Sequence, residues 1–257
     1  MKTLRWYWLP ALILTVVLAA CGGGGEQSPA GGEEGPGAPT GGQPTGGGTI
    51  SGVVNFTGTA PDPEPILMDA EPVCQERYPD GAFTETVEVN DNGTLQNVFL
   101  YVKEGLVDQE WPVSSDPVLL DQKGCRYGPH VLGVQAGQDI VIRNSDGILH
   151  NIHPKPINNR SFNLGQPVEM ETTRAFPNSE IMIPVICDVH DWMQGYIGVV
   201  DHPFFAVSGS DGSFEISGLP AGEYVIEAWH ELYGTQTLSV SIPEGGTEQI
   251  EFTYEGA

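Results

Sequence analysis

From Thr49 to the C-terminus, no stretch of the chain carries a convincing helical repeat of apolar residues. Short runs rich in Val, Ile, Phe and Thr alternate apolar with polar positions, and each is bounded by Gly, Pro, Asn or Asp. Residues 49–56, 86–90, 98–103, 131–135, 139–144, 180–186, 196–201, 213–217, 223–229 and 235–242 read as strands. The pairs Asn92-Gly93, Asp146-Gly147 and Asp211-Gly212 break the chain between them, because Gly reaches the left-handed backbone region that tight turns need. Only 71–78 suggests a turn or two of helix. The expected fold class is therefore all-β, with strands that bury one face in a sandwich.

The first 48 residues do not share this pattern. Lys2 and Arg5 precede a short apolar run, 6–18, too short and wrongly flanked to span a membrane. Residues 1–21 read as a targeting signal. The run ends in Leu18-Ala19-Ala20-Cys21, which resembles the lipobox of bacterial lipoproteins and implies lipidation of Cys21 after cleavage. Residues 22–48 are almost all Gly, Pro, Ala, Thr, Gln and Glu, and so lack the apolar surface that offsets ordering entropy. They are expected to be a disordered tether. The net charge of −24 repels nucleic acid and anionic headgroups, so DNA and RNA binding are excluded and membrane contact is expected through the lipid alone. The same charge suits a soluble monomer and could steer a basic partner.

The chemistry concentrates in Ile186-Cys187-Asp188-Val189-His190-Asp191-Trp192-Met193-Gln194-Gly195. A thiolate, an imidazole and a thioether follow one another at intervals of three residues. Upstream, Leu149-His150-Asn151-Ile152-His153 follows a strand that ends in Asn144. Two imidazoles, one thiolate and a weak thioether form the donor set of a blue-copper site. The stretch 116–201 resembles a cupredoxin, and the spacings most resemble amicyanin. That resemblance implies a Greek-key sandwich and one copper ion cycling between Cu(I) and Cu(II). It implies His150, Cys187, His190 and Met193 as ligands, with His153 not a ligand. It also implies that Asn151 ties the two ligand loops together, and that the His190 edge lies near the surface as the port for electrons. Asn144 belongs to the same outer shell, and Trp192 either shields the metal or simply packs. Met193 as a core filler is the competing reading. A dinuclear copper site would need a second cysteine in the loop, and a multicopper oxidase several His-x-His pairs.

With Cys21 acylated, three cysteines remain, an odd number for an oxidising compartment. Cys74 and Cys125 are the natural disulfide, leaving Cys187 free. A second metal site using Cys125 and His130 is the alternative. His202 and His230 read as structural hydrogen-bonding residues.

A second resemblance rests on Asp211-Gly212-Ser213-Phe214-Glu215-Ile216, Leu219-Pro220-Ala221-Gly222-Glu223-Tyr224 and the upstream Ile50-Ser51-Gly52-Val53-Val54. These motifs are similar to the carboxypeptidase regulatory-like (transthyretin-like) β-sandwich. Residues 49–115 and 202–257 are expected to form one such sandwich, with 116–201 inserted. Two consecutive domains are the alternative. The lipobox resemblance implies an extracytoplasmic, membrane-anchored lipoprotein, in the periplasm or at the cell surface. It would be an electron carrier and not an enzyme, and its partner would be a cytochrome or an oxidoreductase. Copper storage, delivery or sensing without redox cycling is the runner-up, followed by a metal-free adhesion or carbohydrate-binding module.

Overall fold

The computed structural model describes residues 46–257. The signal 1–21, the lipidation residue Cys21 and the tether as far as residue 45 lie outside the described residues. Among the described residues, no helix is long and apolar enough to cross a membrane. The one α-helix among the described residues, Pro72–Gln75, is one turn long, with Pro at its first position. Everything else that is regular is strand, as the alternation requires.

One pair of sheets joins residues far apart in the chain. Strand Gly48–Thr57 lies between Ser213–Leu219, which it meets antiparallel, and Thr247–Glu255, which it meets in parallel. The facing sheet runs Phe205–Val207, Phe99–Glu104, Gly222–His230, Gly234–Ile242. Their inner faces meet in a core that includes Ile50, Val54, Leu100, Phe204, Ile216, Ile226 and Tyr254. The first strand begins at Gly48, inside the stretch expected to be disordered. A side chain there would collide with Ile242 Cγ2 at 2.2 Å, so Gly48 packs where a larger residue would be excluded.

A second pair of sheets is built from the middle of the chain. One runs Leu164–Gln166, His150–Pro154, Glu180–Ile186, Gln194–Val200, Val131–Gln135. The other runs Met170–Arg174, Ile140–Asn144, Val118–Gln122, Tyr127–Gly128. Leu120, Leu132, Ile142, Ile152, Phe176, Ile183 and Ile197 fill the space between them. The expected strand at 86–90 is absent. Only isolated bridges, Val89 with Leu95 and Asn55 with Thr94, form there. Asn97 adopts φ 62°, and the Glu88 carboxylate accepts hydrogen bonds from Gln96 and Asn97, so side chains satisfy this turn where a ladder was expected.

Two smaller clusters matter for the site. Phe99, Tyr101, Phe205 and Val207 of the first pair pack against Val131, Met182 and Val200 of the second. Gly133 and Gly198, neighbours across the parallel pair, make room for that seam, since a Cβ on either would lie 2.6–2.8 Å from the rings of Phe205 or Phe99. The other cluster holds Met68, Cys74, Ala82 and Cys125, with Trp192 packed on it. Here Cys74 and Cys125 form a disulfide. Cys125 therefore has no thiolate to offer, and the alternative of a metal site with His130 falls. His130 instead faces Glu231, with its Nε2 2.5 Å from Oε1.

Candidate metal centre

His150 opens strand His150–Pro154, while Cys187, His190 and Met193 sit in the loop between Glu180–Ile186 and Gln194–Val200. That loop is closed at its base by the antiparallel pair Ile186–Gln194. Inside it, Cys187 N–H donates to Met193 O at 3.1 Å and Met193 N–H to His190 O at 3.0 Å. The alternation that buries Val185 also turns Cys187 inward. Ile186 pairs with His153 on the neighbouring strand, which brings the start of that strand beside the loop.

The result is a compact donor set. The ligand atoms of His150, Cys187 and His190 lie within 4.8 Å of one another, and all three residues are buried. The two Nδ1 atoms are 3.0 Å apart, and the Cys187 Sγ is 3.9 Å from His190 Nδ1. The sulfur also accepts backbone N–H groups from His190 at 3.4 Å and Asn151 at 3.5 Å. Cys187 is the free cysteine among the described residues. Met193 is buried in the same apolar cluster as Cys187.

Burial pushes the Cys187 thiol up, but the hydrogen bonds from His150, His190 and the two backbone amides outweigh it and hold it at about 6. A thiolate is therefore present in neutral solution, and a thiolate is the form that binds metal. Burial alone would lower His150; Asp146 and then Cys187 raise it. Two imidazoles aimed at one buried thiolate fit a borderline-soft ion such as copper and give it no hard oxygen donor.

Residues around the donors fix their orientation. Asn151 Oδ1 accepts the Asp188 N–H at 2.5 Å, tying the strand to the loop. Tyr127 donates its hydroxyl to Asn151 O at 2.5 Å. Asn144 Nδ2 donates to Ile148 O at 2.7 Å and Gln166 O at 2.8 Å, while its Oδ1 receives the Asp146 N–H. The Trp192 indole N–H donates to Cys125 O at 3.1 Å, and its ring lies 4.9 Å from that of His190.

The sequence reading took Asp146 only for a turn residue. Its Oδ2 lies 2.8 Å from His150 Nε2 and 2.7 Å from Cys125 N; its Oδ1 lies 2.8 Å from Gly124 N and 3.0 Å from Arg77 Nη1. Burial pushes the Asp146 carboxyl up, but His150, the two amides and Arg77 overcome this and hold it below the usual carboxylate range. The carboxylate thus takes the Nε2–H of His150 and leaves Nδ1 as a lone pair directed at the donor cluster. The one signal available in sequence was its place four residues before His150.

Other histidines stand apart. His153 Nδ1 is 2.8 Å from Asp188 Oδ2, at the edge of the site and partly exposed. His202 donates to Val102 O at 2.8 Å and accepts from Phe204 N; His230 Nδ1 accepts from Leu232 N and Tyr233 N. The expected surface port is corrected. His190 is 3% exposed, with the Trp192 ring beside it and Glu71, from the segment that the disulfide ties down, 3.9 Å from its Nε2.

No protein-family model and no curated protein sequence matches the chain. Among solved structures it is similar to a copper-containing nitrite reductase (NirK) from Thermus scotoductus SA-01, at 18% identity and a TM-score of 0.31 over 37% of this chain. The chain spans 25% of that reductase's length. It is also similar to an oxidised proline-to-glycine mutant of amicyanin, at 17% identity and a TM-score of 0.30. That match covers 38% of this chain and 99% of the amicyanin.

Proposed function

We propose that this protein carries electrons outside the cytoplasm on one copper ion held by His150, Cys187 and His190, with Met193 as a weak axial donor. The observation that carries the reading is the meeting of one buried, readily ionised thiol and two imidazoles within 4.8 Å, with the His150 ring braced by Asp146 and the sulfur by two backbone amides. Bound there, copper would supply a reversible one-electron couple. The chain's part is to keep the donors in one arrangement through both oxidation states. Asp146 holds the His150 ring, Asn151 locks the loop to the strand, and the N–H groups of Asn151 and His190 cushion the sulfur charge. We assign no substrate turnover.

In the same reading, Cys21 carries a lipid and the residues between it and the first strand at Gly48 tether the head to a membrane, so that it can reach a redox protein with a basic face. A disulfide between Cys74 and Cys125 suits an oxidising compartment. Residues 49–115 and 202–257 act as a regulatory-like scaffold around the copper-binding part, 116–201.

The test is to add Cu(II) to the purified protein and record visible absorption and electron spin resonance. A strong thiolate-to-copper band and a reversible potential are expected, and Cys187→Ser should abolish the band. Colour that survives in Cys187→Ser would overturn the assignment. Loss of Cu(I) to a weak chelator, without a reversible couple, would point to copper delivery.

A further inference from the structure

Asp146 accounts for the outer nitrogen of His150, but the outer nitrogen of His190 has no such partner. His190 Nε2 is buried and makes no hydrogen bond among the described residues. A buried N–H left unpaired is costly, so something near it should compensate. The nearby charge is Glu71, whose Oε2 lies 3.9 Å away. That exceeds a good hydrogen bond by less than about an ångström. The Glu71 side chain is 35% exposed, so packing does not lock it in place.

Its backbone, in contrast, is held. Glu71 N–H donates to Met68 O at 2.9 Å, and Glu71 O accepts from Cys74 N at 2.9 Å and Gln75 N at 3.1 Å. Cys74 is bonded to Cys125, whose carbonyl holds the Trp192 indole beside His190. One covalent bridge therefore ties together the segments that bring Glu71 and Trp192 beside the same ring.

We propose that Glu71 is a positioning residue for His190, and that the Cys74–Cys125 bridge serves to hold it there. Its carboxylate takes the Nε2–H, turns Nδ1 toward Cys187, and brings a negative charge close to the bound ion. Each imidazole would then carry its own carboxylate, Asp146 behind His150 and Glu71 behind His190. A negative charge close to the ion favours the doubly charged copper over the singly charged one. This rests on the copper reading above.

The measurement is the midpoint potential of the full copper-loaded protein, with Cu(I) and Cu(II) affinities from chelator competition. Glu71→Gln removes the charge and keeps the shape. We expect the preference for Cu(II) over Cu(I) to fall about tenfold, an upward shift of about 59 mV for a one-electron couple. Glu71→Asp should recover part of the shift, which a purely structural residue would not do. Cys74→Ser with Cys125→Ser should give the shift of Glu71→Gln, and adding Glu71→Gln to that pair should move the potential no further. An unchanged potential in a Glu71→Gln protein that keeps its copper and its colour overturns the proposal. A full additive shift in the triple variant overturns the role of the bridge. A wild-type protein with no charge-transfer band instead overturns the copper reading itself, so the two failures are distinct.

Discussion

Asp146 takes four hydrogen bonds or ion-pair contacts on two oxygens, and every one comes from a donor. An amide of the same shape cannot do this, because its NH2 must face either the pair His150 and Cys125 or the pair Gly124 and Arg77. Asp146→Asn is therefore expected to free the His150 ring and weaken copper binding by about 10–100-fold, as read by chelator competition. Unchanged affinity would mean that the ring is held by its packing alone. Asn151 differs in kind: it links two elements, so its loss should loosen the loop and leave each ligand's own orientation intact.

The ligand loop depends on strands packed against a second sandwich. Gly133 and Gly198 face each other across a parallel pair, and the rings of Phe99 and Phe205 lie where their side chains would be. At Gly198 the Met182 methyl, 2.4 Å from an added Cβ, could move aside, but the Phe99 ring at 2.8 Å is held by the seam. Gly198→Ala should cost about 1–3 kcal/mol in chemical denaturation. Because strand Gln194–Val200 runs directly on from Met193, the copper spectrum of that variant should broaden even while the protein remains folded. An unaffected denaturation midpoint would show that the seam is looser than its packing implies.

Across the whole molecule, His130 and Glu231 join the two sandwiches with opposite charges. Burial would lower His130, but Glu231 and then Glu85 and Glu88 outweigh it and raise the ring above its usual 6.5. A raised folded value means that this contribution is complete below pH 6.5 and is lost as pH rises through the folded value. His230 has the opposite sign. Its burial, opposed by Glu231 and reinforced by His130, lowers it to about 4, so stability falls as pH drops from 6.5 toward 4. Taken alone, the two rings contribute most near pH 6.5, while the Cys187 thiol, held at about 6, adds stability as pH rises further. Thermal unfolding of metal-free Cys187→Ser protein across pH 4–9, which removes the thiol's own pH dependence, checks the two rings, with each ~1 kcal/mol lost appearing as a fall of roughly 2–4 °C. Glu231→Gln should flatten the alkaline limb; a limb that keeps its slope would assign it to another group.

Local chemistry was readable along the chain. Period-two alternation announces strands because successive side chains must point to opposite faces, and the all-β class follows. The spacing of Cys187, His190 and Met193 is a property of one short loop, and the odd cysteine could be told from Cys74 and Cys125 by its neighbours. Asp146 as a brace for His150, Glu71 behind His190, the buried His190 edge and the aromatic seam were not readable. Each depends on segments that share no sequence neighbourhood and meet only when sheets stack and a disulfide closes. The chain determines which atoms can bind a soft ion; only packing decides which carboxylate stands behind each ring and which side faces water.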